Sequence, residues 1–259
     1  MRHQSGSDSV RVLHVTDPHL FGDAESSLRG TVTHASLSAV IDDIRQRDWP
    51  ADFVAMTGDL IQDDTAAAYD RFRELMAPMD LPVYCVPGNH DVRPLMRQAL
   101  AAPPFHYCAS VRKGNWLITG IDSCLDGDAA GRISDRELQR LADILSTTDA
   151  EHVAVCLHHP PLPVGSLWLD QVGLQNGDEF LRLASDAGLV RAALFGHVHQ
   201  EFDEQHGSIR IIGTPSTCRQ FQPGSDDFAL DDNPPAYRQV SLLADGSIDA
   251  ELIWLGTDQ

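Results

Sequence analysis

The 259-residue chain has no run of about eighteen consecutive apolar residues, the length a membrane-spanning helix needs. Its opening segment, MRHQSGSDSVR, also lacks the apolar stretch of a secretory signal, so a cytoplasmic location is expected. Cysteine is scarce and scattered: Cys85, Cys108, Cys124, Cys156 and Cys218 are odd in number and form no CxxC pair. That argues against a disulfide framework and against a thiolate zinc site. Positive charge is thin as well. Lys and Arg number 19 against 38 Asp and Glu, for a formal net charge of -19, and no Lys/Arg stretch occurs. A nucleic acid backbone would find little to hold it, which disfavours a nuclease. No internal repeat or low-complexity tract is present, and the apolar fraction of 42% suits one globular domain with a substantial core.

What the chain does have is five short apolar runs that each stop at residues able to bind a metal: RVLHVTDPH, DFVAMTGD, VYCVPGNHD, HVAVCLHH and RAALFGHVH. Each is about strand length and rich in Val, Leu and Ala, so each reads as a strand with polar residues at its end. Helices are expected at 35–47, with Leu37, Val40, Ile41 and Ile44 on one face, and at 65–76, with Tyr69, Phe72, Leu75 and Met76. With strands at 12–16, 52–57 and 82–87, the chain opens as βαβαβ. HYCASV and NWLITGIDS read as a hairpin around a KGN turn. Ser134 and Glu137 form a capping-box pattern ahead of Leu138, Leu141 and Leu145. Strands at 152–158 and 190–195 flank the helix NGDEFLRLASDAG, and the last third, about 206–257, reads as mostly β. Residues 223–235 form an acidic, turn-rich loop.

The strand ends gather Asp17, His19, Asp59, Asn89, His158, His197 and His199 as candidate ligands. Two carboxylates, one amide and four imidazoles fill two metal sites if Asp59 bridges them, and a set without thiolate suits Mn, Fe or Zn at higher coordination number. Gly58 and Gly88 allow the backbone to turn sharply and approach an ion. The string GNHD adds a free imidazole, His90, beside a carboxylate, Asp91, that can orient it. His3, His14, His34, His106, His152 and His206 are read as structural. Around the centre, Trp168, Asp170, Gln171 and Asn176 in the loop 164–176, and Arg219 and Gln220 in 214–222, are candidate walls of a substrate pocket. Trp168 reads equally well as a loop anchor.

The ordered string DxH, GD, GNHD, HH, GHxH resembles the calcineurin-like metallophosphoesterase family over residues 17–199, and GNHDVRP, HHPPLPVGSLWLDQVGLQN, GHVHQE and GTPSTCRQFQP resemble its class III cyclic-nucleotide phosphodiesterases. The resemblance implies an α/β fold of two mixed sheets packed as a sandwich and flanked by helices, in four layers, as one domain over 11–259 after a flexible 1–10. It implies a first metal on Asp17, His19, Asp59 and His199 and a second on Asp59, Asn89, His158 and His197. The ions are expected to be Fe or Mn, with Zn as an alternative. His158 rather than His159 is the implied ligand because it stands two residues before the proline. Hydrolysis of 3',5'-cyclic AMP to 5'-AMP by a metal-bridging hydroxide is the implied reaction. Substrate would meet His19, Asp59, Asn89, His90 and His199 at the centre and Trp168, Asn176 and Arg219 around it, with His90 as acid or charge stabiliser and Asp91 behind it. Other diesters, such as 2',3'-cyclic nucleotides and glycerophosphodiesters, are the alternative. A scaffold without catalysis would be expected to have lost ligands, and none is missing. The expected partner is a small cyclic nucleotide, with no nucleic acid and no membrane; monomer and homo-oligomer both stay open.

Overall fold

The computed structural model describes residues 9–256. The apolar run after Ser9 forms β1 (Val10–Val15), and a small ribbon of β2 (Ser27–Leu28) and β3 (Thr31–Val32) leads into α1 (Thr33–Arg47). Then come β4 (Phe53–Met56), α2 (Ala66–Met76), β5 (Val83–Cys85), α3 (Arg93–Ala99) and β6 (Phe105–Tyr107). A second series follows: β7 (Ser110–Lys113), β8 (Trp116–Gly120), α4 (Asp135–Thr147), β9 (His152–Cys156), the single-turn α5 (Leu167–Asp170), α6 (Gly177–Ala187) and β10 (Val190–Phe195). The chain closes with β11 (Phe202–His206), β12 (Ile209–Gly213), β13 (Gln220–Phe221), β14 (Leu230–Asp231), β15 (Ala236–Leu242) and β16 (Ile248–Trp254).

Two six-stranded mixed sheets result, in the orders β16-β15-β1-β4-β5-β6 and β11-β12-β10-β9-β8-β7. In the first, β1, β4 and β5 run parallel, and in the second β8, β9, β10 and β12 do. Parallel strands buried on both faces need apolar residues on both faces, which is why these runs are continuous rather than alternating. Three apolar clusters mark the layers. Val12, Phe53, Ala55, Trp116, Ala154, Leu194 and Val240 meet between the sheets. Leu13, Val54 and Met56 on the far face of the first sheet meet Leu37, Val40, Tyr69 and Phe72 of its helices. Val153, Val155 and Ala193 of the second sheet meet Leu141, Leu145, Phe180 and Leu181. The expected four-layer αββα order is therefore present. Each fully buried Leu or Phe contributes about 1.5–3 kcal/mol, so truncating Leu141, at 0% exposure, would cost about 2–5 kcal/mol.

Local sequence and structure part in a few places. HYCASV is not one strand: Phe105–Tyr107 joins the first sheet beside β5, and Ser110–Lys113 joins the second beside β8. Cys108, in left-handed conformation at φ 43°, breaks the run between them. Half of the expected capping box forms. Ser134 Oγ accepts from Glu137 N at 3.2 Å, whereas the Glu137 carboxylate turns to Arg140 and to the Asp122 N–H. Residues 1–8 of the expected flexible segment, including His3, lie outside the described residues, and Val10 already belongs to β1. No described helix is long and apolar enough to cross a membrane.

Candidate metal centre

Parallel strands deliver the turns after β1, β4, β5, β9 and β10 to one edge of the sandwich, the place where open α/β sheets bind ligands. There the chain is bent hard. Asp17, His19, Asp59, His197 and His199 all have positive φ, between 48° and 69°. Such left-handed residues are uncommon outside glycine and cost about 1 kcal/mol or more each; they persist where surrounding structure holds them, and they cluster at functional sites.

The turns also interlock. A Cβ on Gly58 would lie 2.5 Å from His158 Nδ1, one on Gly88 2.1 Å from Asp59 Oδ1, and one on Gly196 2.4 Å from Asp17 Oδ2. Each glycine therefore makes room for a candidate ligand supplied by a different motif.

All seven candidate ligands converge, in two groups. In the first, His19 Nε2 and His199 Nε2 face each other at 3.0 Å, with Asp17 Oδ1 3.4 Å from His199 and Asp59 Oδ2 3.7 Å from His19. In the second, Asn89 Oδ1 lies 3.1 Å from His158 Nε2 and 3.0 Å from His197 Nδ1, and Asp59 Oδ1 is 3.5 Å from His158. The two oxygens of Asp59 thus serve one group each.

Hydrogen bonds on the far side of the rings set which nitrogens face inward as lone pairs. His199 Nδ1 donates to the Arg219 carbonyl at 2.5 Å and His158 Nδ1 to the Thr57 carbonyl at 2.8 Å. His19 Nδ1 lies 2.9 Å from Gln62 Oε1. The inward set is therefore dominated by acceptors, in an almost fully buried space where Asp17 is 0% and Asp59 2% exposed. Acceptors crowded at about 3 Å out of water repel unless a positive charge lies among them, and the nitrogen and oxygen donors fit hard or borderline divalent ions. Electrostatics agree. Burial pushes the Asp59 carboxyl up, but the imidazoles of His158 and His19 outweigh it and hold it well below the usual carboxylate range. Burial lowers His19 to about 4, against the pull of Asp59, so that ring stays neutral. Burial also lowers His158, yet Asp59 and Asp17 prevail and raise it to about 9, so at His158 a proton competes with any cation.

His159, beside His158, has both ring nitrogens engaged, Nδ1 with Ser123 Oγ at 2.9 Å and Nε2 with the Ala129 carbonyl at 3.2 Å. His90 stands at the edge of the first group, its ring 5.0 Å from that of His19. The expected contact between Asp91 and the His90 ring is absent among the described residues. The Asp91 carboxylate instead accepts from Gly88 N, Leu60 N and Tyr69 Oη at 2.9–3.2 Å, bracing the GNHD turn against the one that carries Asp59. Gln62, overlooked in the sequence, is what reaches His90.

The expected pocket walls need correction too. Asn176 faces inward to bond Ile133 through both N–H and C=O, at 3.0 and 2.9 Å, so it ties two loops together rather than facing a ligand. Trp168 does not line the pocket beside the metal groups. It packs edge-on behind Phe221 at 5.1 Å and Phe228 at 5.3 Å. That pocket, of about 80 Å³, is lined by His19, Leu28, Arg29, Gln62, His90, His199, Arg219 and Phe221. Arg219 lies in that lining, and its side chain also pairs with Asp232 at 3.1 Å. Arg29 and Gln62 carry no sequence signal beyond their type, whereas Phe221 lies in the segment 214–222 already marked as a wall. Of the other histidines, His14 is buried between Thr57 and Thr214, His106 stacks on Tyr84 and His152 packs on Trp116.

The model of the calcineurin-like phosphoesterases matches residues 10–201. The chain belongs to that family. It is 37% identical over 257 residues to a 3',5'-cyclic adenosine monophosphate phosphodiesterase, CpdA, of Vibrio vulnificus, covering 97% of this chain and 94% of that protein. Among solved structures, a dimetal phosphatase of Danio rerio superposes with a TM-score of 0.66 at 17% identity, over 95% of this chain and 99% of that one. A protein described as the anchor in the inner membrane complex of Plasmodium, GAP50, superposes at 0.69 with 13% identity, over 98% and 87%. The fold therefore serves proteins with unlike names, and the fold alone decides no activity. Family membership and the Asp/His cluster together support a dimetal site.

Proposed function

We propose that the chain is a dimetal phosphodiesterase that opens 3',5'-cyclic AMP to 5'-AMP. The observation that carries this reading is Asp59, whose two oxygens lie 3.7 Å from His19 Nε2 and 3.5 Å from His158 Nε2, between two groups of inward-facing acceptors. Asp17, His19, Asp59 and His199 would hold one ion and Asp59, Asn89, His158 and His197 the other. Iron or manganese is our reading for both, with zinc as the alternative; the all-nitrogen and oxygen donor set accommodates all three. When bound, the two ions supply activation of a water and neutralisation of charge on the phosphoryl oxygens.

The chain's own residues do the rest. His19, His90 and His199 border the pocket in which a phosphodiester would sit. Arg29 and Arg219 bring positive charge to it, and Phe221, stacked on His199 at 4.3 Å, offers an aromatic edge to a base. Cyclic AMP as substrate is supported by the 37% identity to the Vibrio enzyme over nearly all of both chains. We read the described chain as one domain, since β1 is flanked by β4 from the N-terminal half and β15 from the C-terminal part within one sheet. A cytoplasmic location is supported by five free thiols, four of them buried.

The test is a substrate panel of cyclic AMP, 2',3'-cyclic AMP and a glycerophosphodiester, run on metal-free protein with Mn, Fe or Zn added back. Preferential turnover of cyclic AMP is expected. Brisk turnover of another diester beside negligible activity on cyclic AMP would overturn the substrate assignment.

A further inference from the structure

Gln62 stands three residues beyond Asp59, and its amide touches two histidines at once. Oε1 is 2.9 Å from His19 Nδ1, and Nε2 is 3.3 Å from His90 Nδ1. We propose that Gln62 is a positioning residue that fixes the tautomer of His90, placing the imidazole proton on Nε2, where it is available to the leaving oxygen. The proposal rests on the phosphodiesterase reading above for the identity of that oxygen.

His19 Nε2 points among Asp17 Oδ1, Asp59 Oδ2 and His199 Nε2, at 3.9, 3.7 and 3.0 Å. A nitrogen that binds a cation there does so through its lone pair, which leaves the ring proton of His19 on Nδ1. That proton needs an acceptor, so the oxygen of the Gln62 amide must face His19; the reversed amide would set donor against donor. The amide nitrogen then faces His90 and donates to Nδ1. Having accepted there, a neutral His90 carries its proton on Nε2. The assignment of the amide is thus forced by the metal side and passed to the catalytic side, as outer partners commonly fix the tautomer of a ligand histidine.

No competing partner holds the His90 ring. Its backbone N–H bonds Asp59 Oδ1 at 2.9 Å, which anchors the main chain, and the Asp91 carboxylate is engaged by Gly88, Leu60 and Tyr69. Among the described residues the Gln62 amide is the only hydrogen-bond partner of the ring. In the reaction a water oxygen bonds phosphorus while the P–O3' bond breaks and its electron pair passes to O3'. That oxygen takes the Nε2 proton of His90, the N–H electron pair stays on the ring as imidazolate, and the proton released by the water returns to Nε2 through solvent, so the imidazole ends as it began.

Two measurements test the assignment. The first is the nitrogen-15 NMR signature of the His90 ring in zinc-loaded protein, identified by its loss in His90→Ala. The Nε2–H tautomer is expected in the wild type and a mixture of tautomers in Gln62→Leu; an Nδ1–H tautomer in the wild type overturns the proposal. This measurement uses no substrate, so it decides the role of Gln62 whatever the wild type does with cyclic AMP. The second is dependence on the leaving group. Gln62→Leu should lower kcat on cyclic AMP, whose 3'-oxygen needs a proton, by about a hundredfold, the usual scale of a lost general acid. On bis(p-nitrophenyl) phosphate, whose phenolate leaves without one, the loss should be at least about tenfold smaller, with both substrates compared at equal bound metal because Gln62 also holds the His19 N–H. In a His90→Ala background the same change should cost cyclic AMP turnover almost nothing further. Equal losses on both substrates, or full additivity with His90→Ala, would show that Gln62 merely supports the fold and would overturn the proposal.

Discussion

His19 and His199 oppose each other Nε2 to Nε2 at 3.0 Å, and each has its other ring nitrogen tied to an oxygen, of Gln62 and of the Arg219 backbone respectively. Rings held this way turn lone pair toward lone pair, an arrangement a cation relieves. Chelation should therefore reduce stability as well as activity. A ligand at about a hundred times its Kd contributes about 2.7 kcal/mol, so dialysis against a chelator should lower Tm by roughly 5–10 °C for a chain of this size. Restoring Mn, Fe or Zn should recover it. An unchanged melting curve in protein shown to be metal-free would contradict the site.

Gly88 and Gly58 test the interlocking of the turns. In Gly88→Ala the new methyl would fall 2.1 Å from Asp59 Oδ1 and 2.3 Å from its backbone nitrogen; in Gly58→Ala it would fall 2.5 Å from His158 Nδ1, at a φ of 101°. Either substitution must move a ligand donated by another strand end, and both should weaken metal binding at least about tenfold, the scale seen when a ligand's support is disturbed. Gly114→Ala is the control. It too has a positive φ, 56°, but nothing lies within 4 Å, so it should cost only about 1 kcal/mol of backbone strain and leave metal content alone. Equal metal content in all three variants would sink the idea.

The contrast between Asn89 and Asn176 shows what the sequence could tell. Asn89 was legible because it follows a strand and sits in a dense string, and strand ends of parallel sheets meet by topology. The seven candidate ligands converge for that reason. Asn176 and Trp168 stand out only by chemical type within a loop, and loop geometry is set by long-range partners invisible in the string: Ile133 for the one, Phe221 and Phe228 for the other. Gln62 escaped notice because an amide three residues past a carboxylate carries no pattern; only the approach of His19 and His90 from separate turns gives it a role. The split of 105–113 between two sheets was hidden for a similar reason, since a single left-handed residue, Cys108, redirects the chain.

Arg29 sits at the tip of the β2-β3 ribbon with its guanidinium 4.1 Å from the ring centre of Phe228, and it lines the same pocket as Arg219. Phe228 is 44% exposed and belongs to the acidic loop, so the contact joins the ribbon to that loop. An exposed cation–π contact contributes about 0.5–1 kcal/mol, and Arg29 also brings charge toward an anionic substrate. Arg29→Ala should raise KM for cyclic AMP about threefold to tenfold with kcat and metal content little changed. Phe228→Ala should follow in the same direction. A fall in kcat at constant KM would mean that Arg29 acts on the chemical step instead.

His14 should make the fold sensitive to acid. It lies at 0% exposure between the sheets, with Nε2 2.8 Å from Thr57 Oγ1 and Nδ1 2.7 Å from Thr214 Oγ1. Burial first, and then repulsion from the buried Arg238, lower it to about 3, with Asp17 pulling the other way. The unfolded chain would protonate this ring near its ordinary value of 6.5, while the native state holds it neutral. Between those values the unfolded state binds the extra proton, so stability is present in full above about 6.5 and is lost as pH falls toward 3. Each pH unit within that window weakens the native state by up to about 1.4 kcal/mol from this one group. Other groups titrate there too, so the test compares wild type with His14→Gln by urea unfolding at steps from pH 7.5 to 4.5. The variant should start about 1–3 kcal/mol less stable, having lost a ring bonded on both sides, and should then lose less on acidification, so that the two curves converge. Curves that stay parallel would show that His14 titrates alike in both states, and the neutral bridge between the sheets would have to be abandoned.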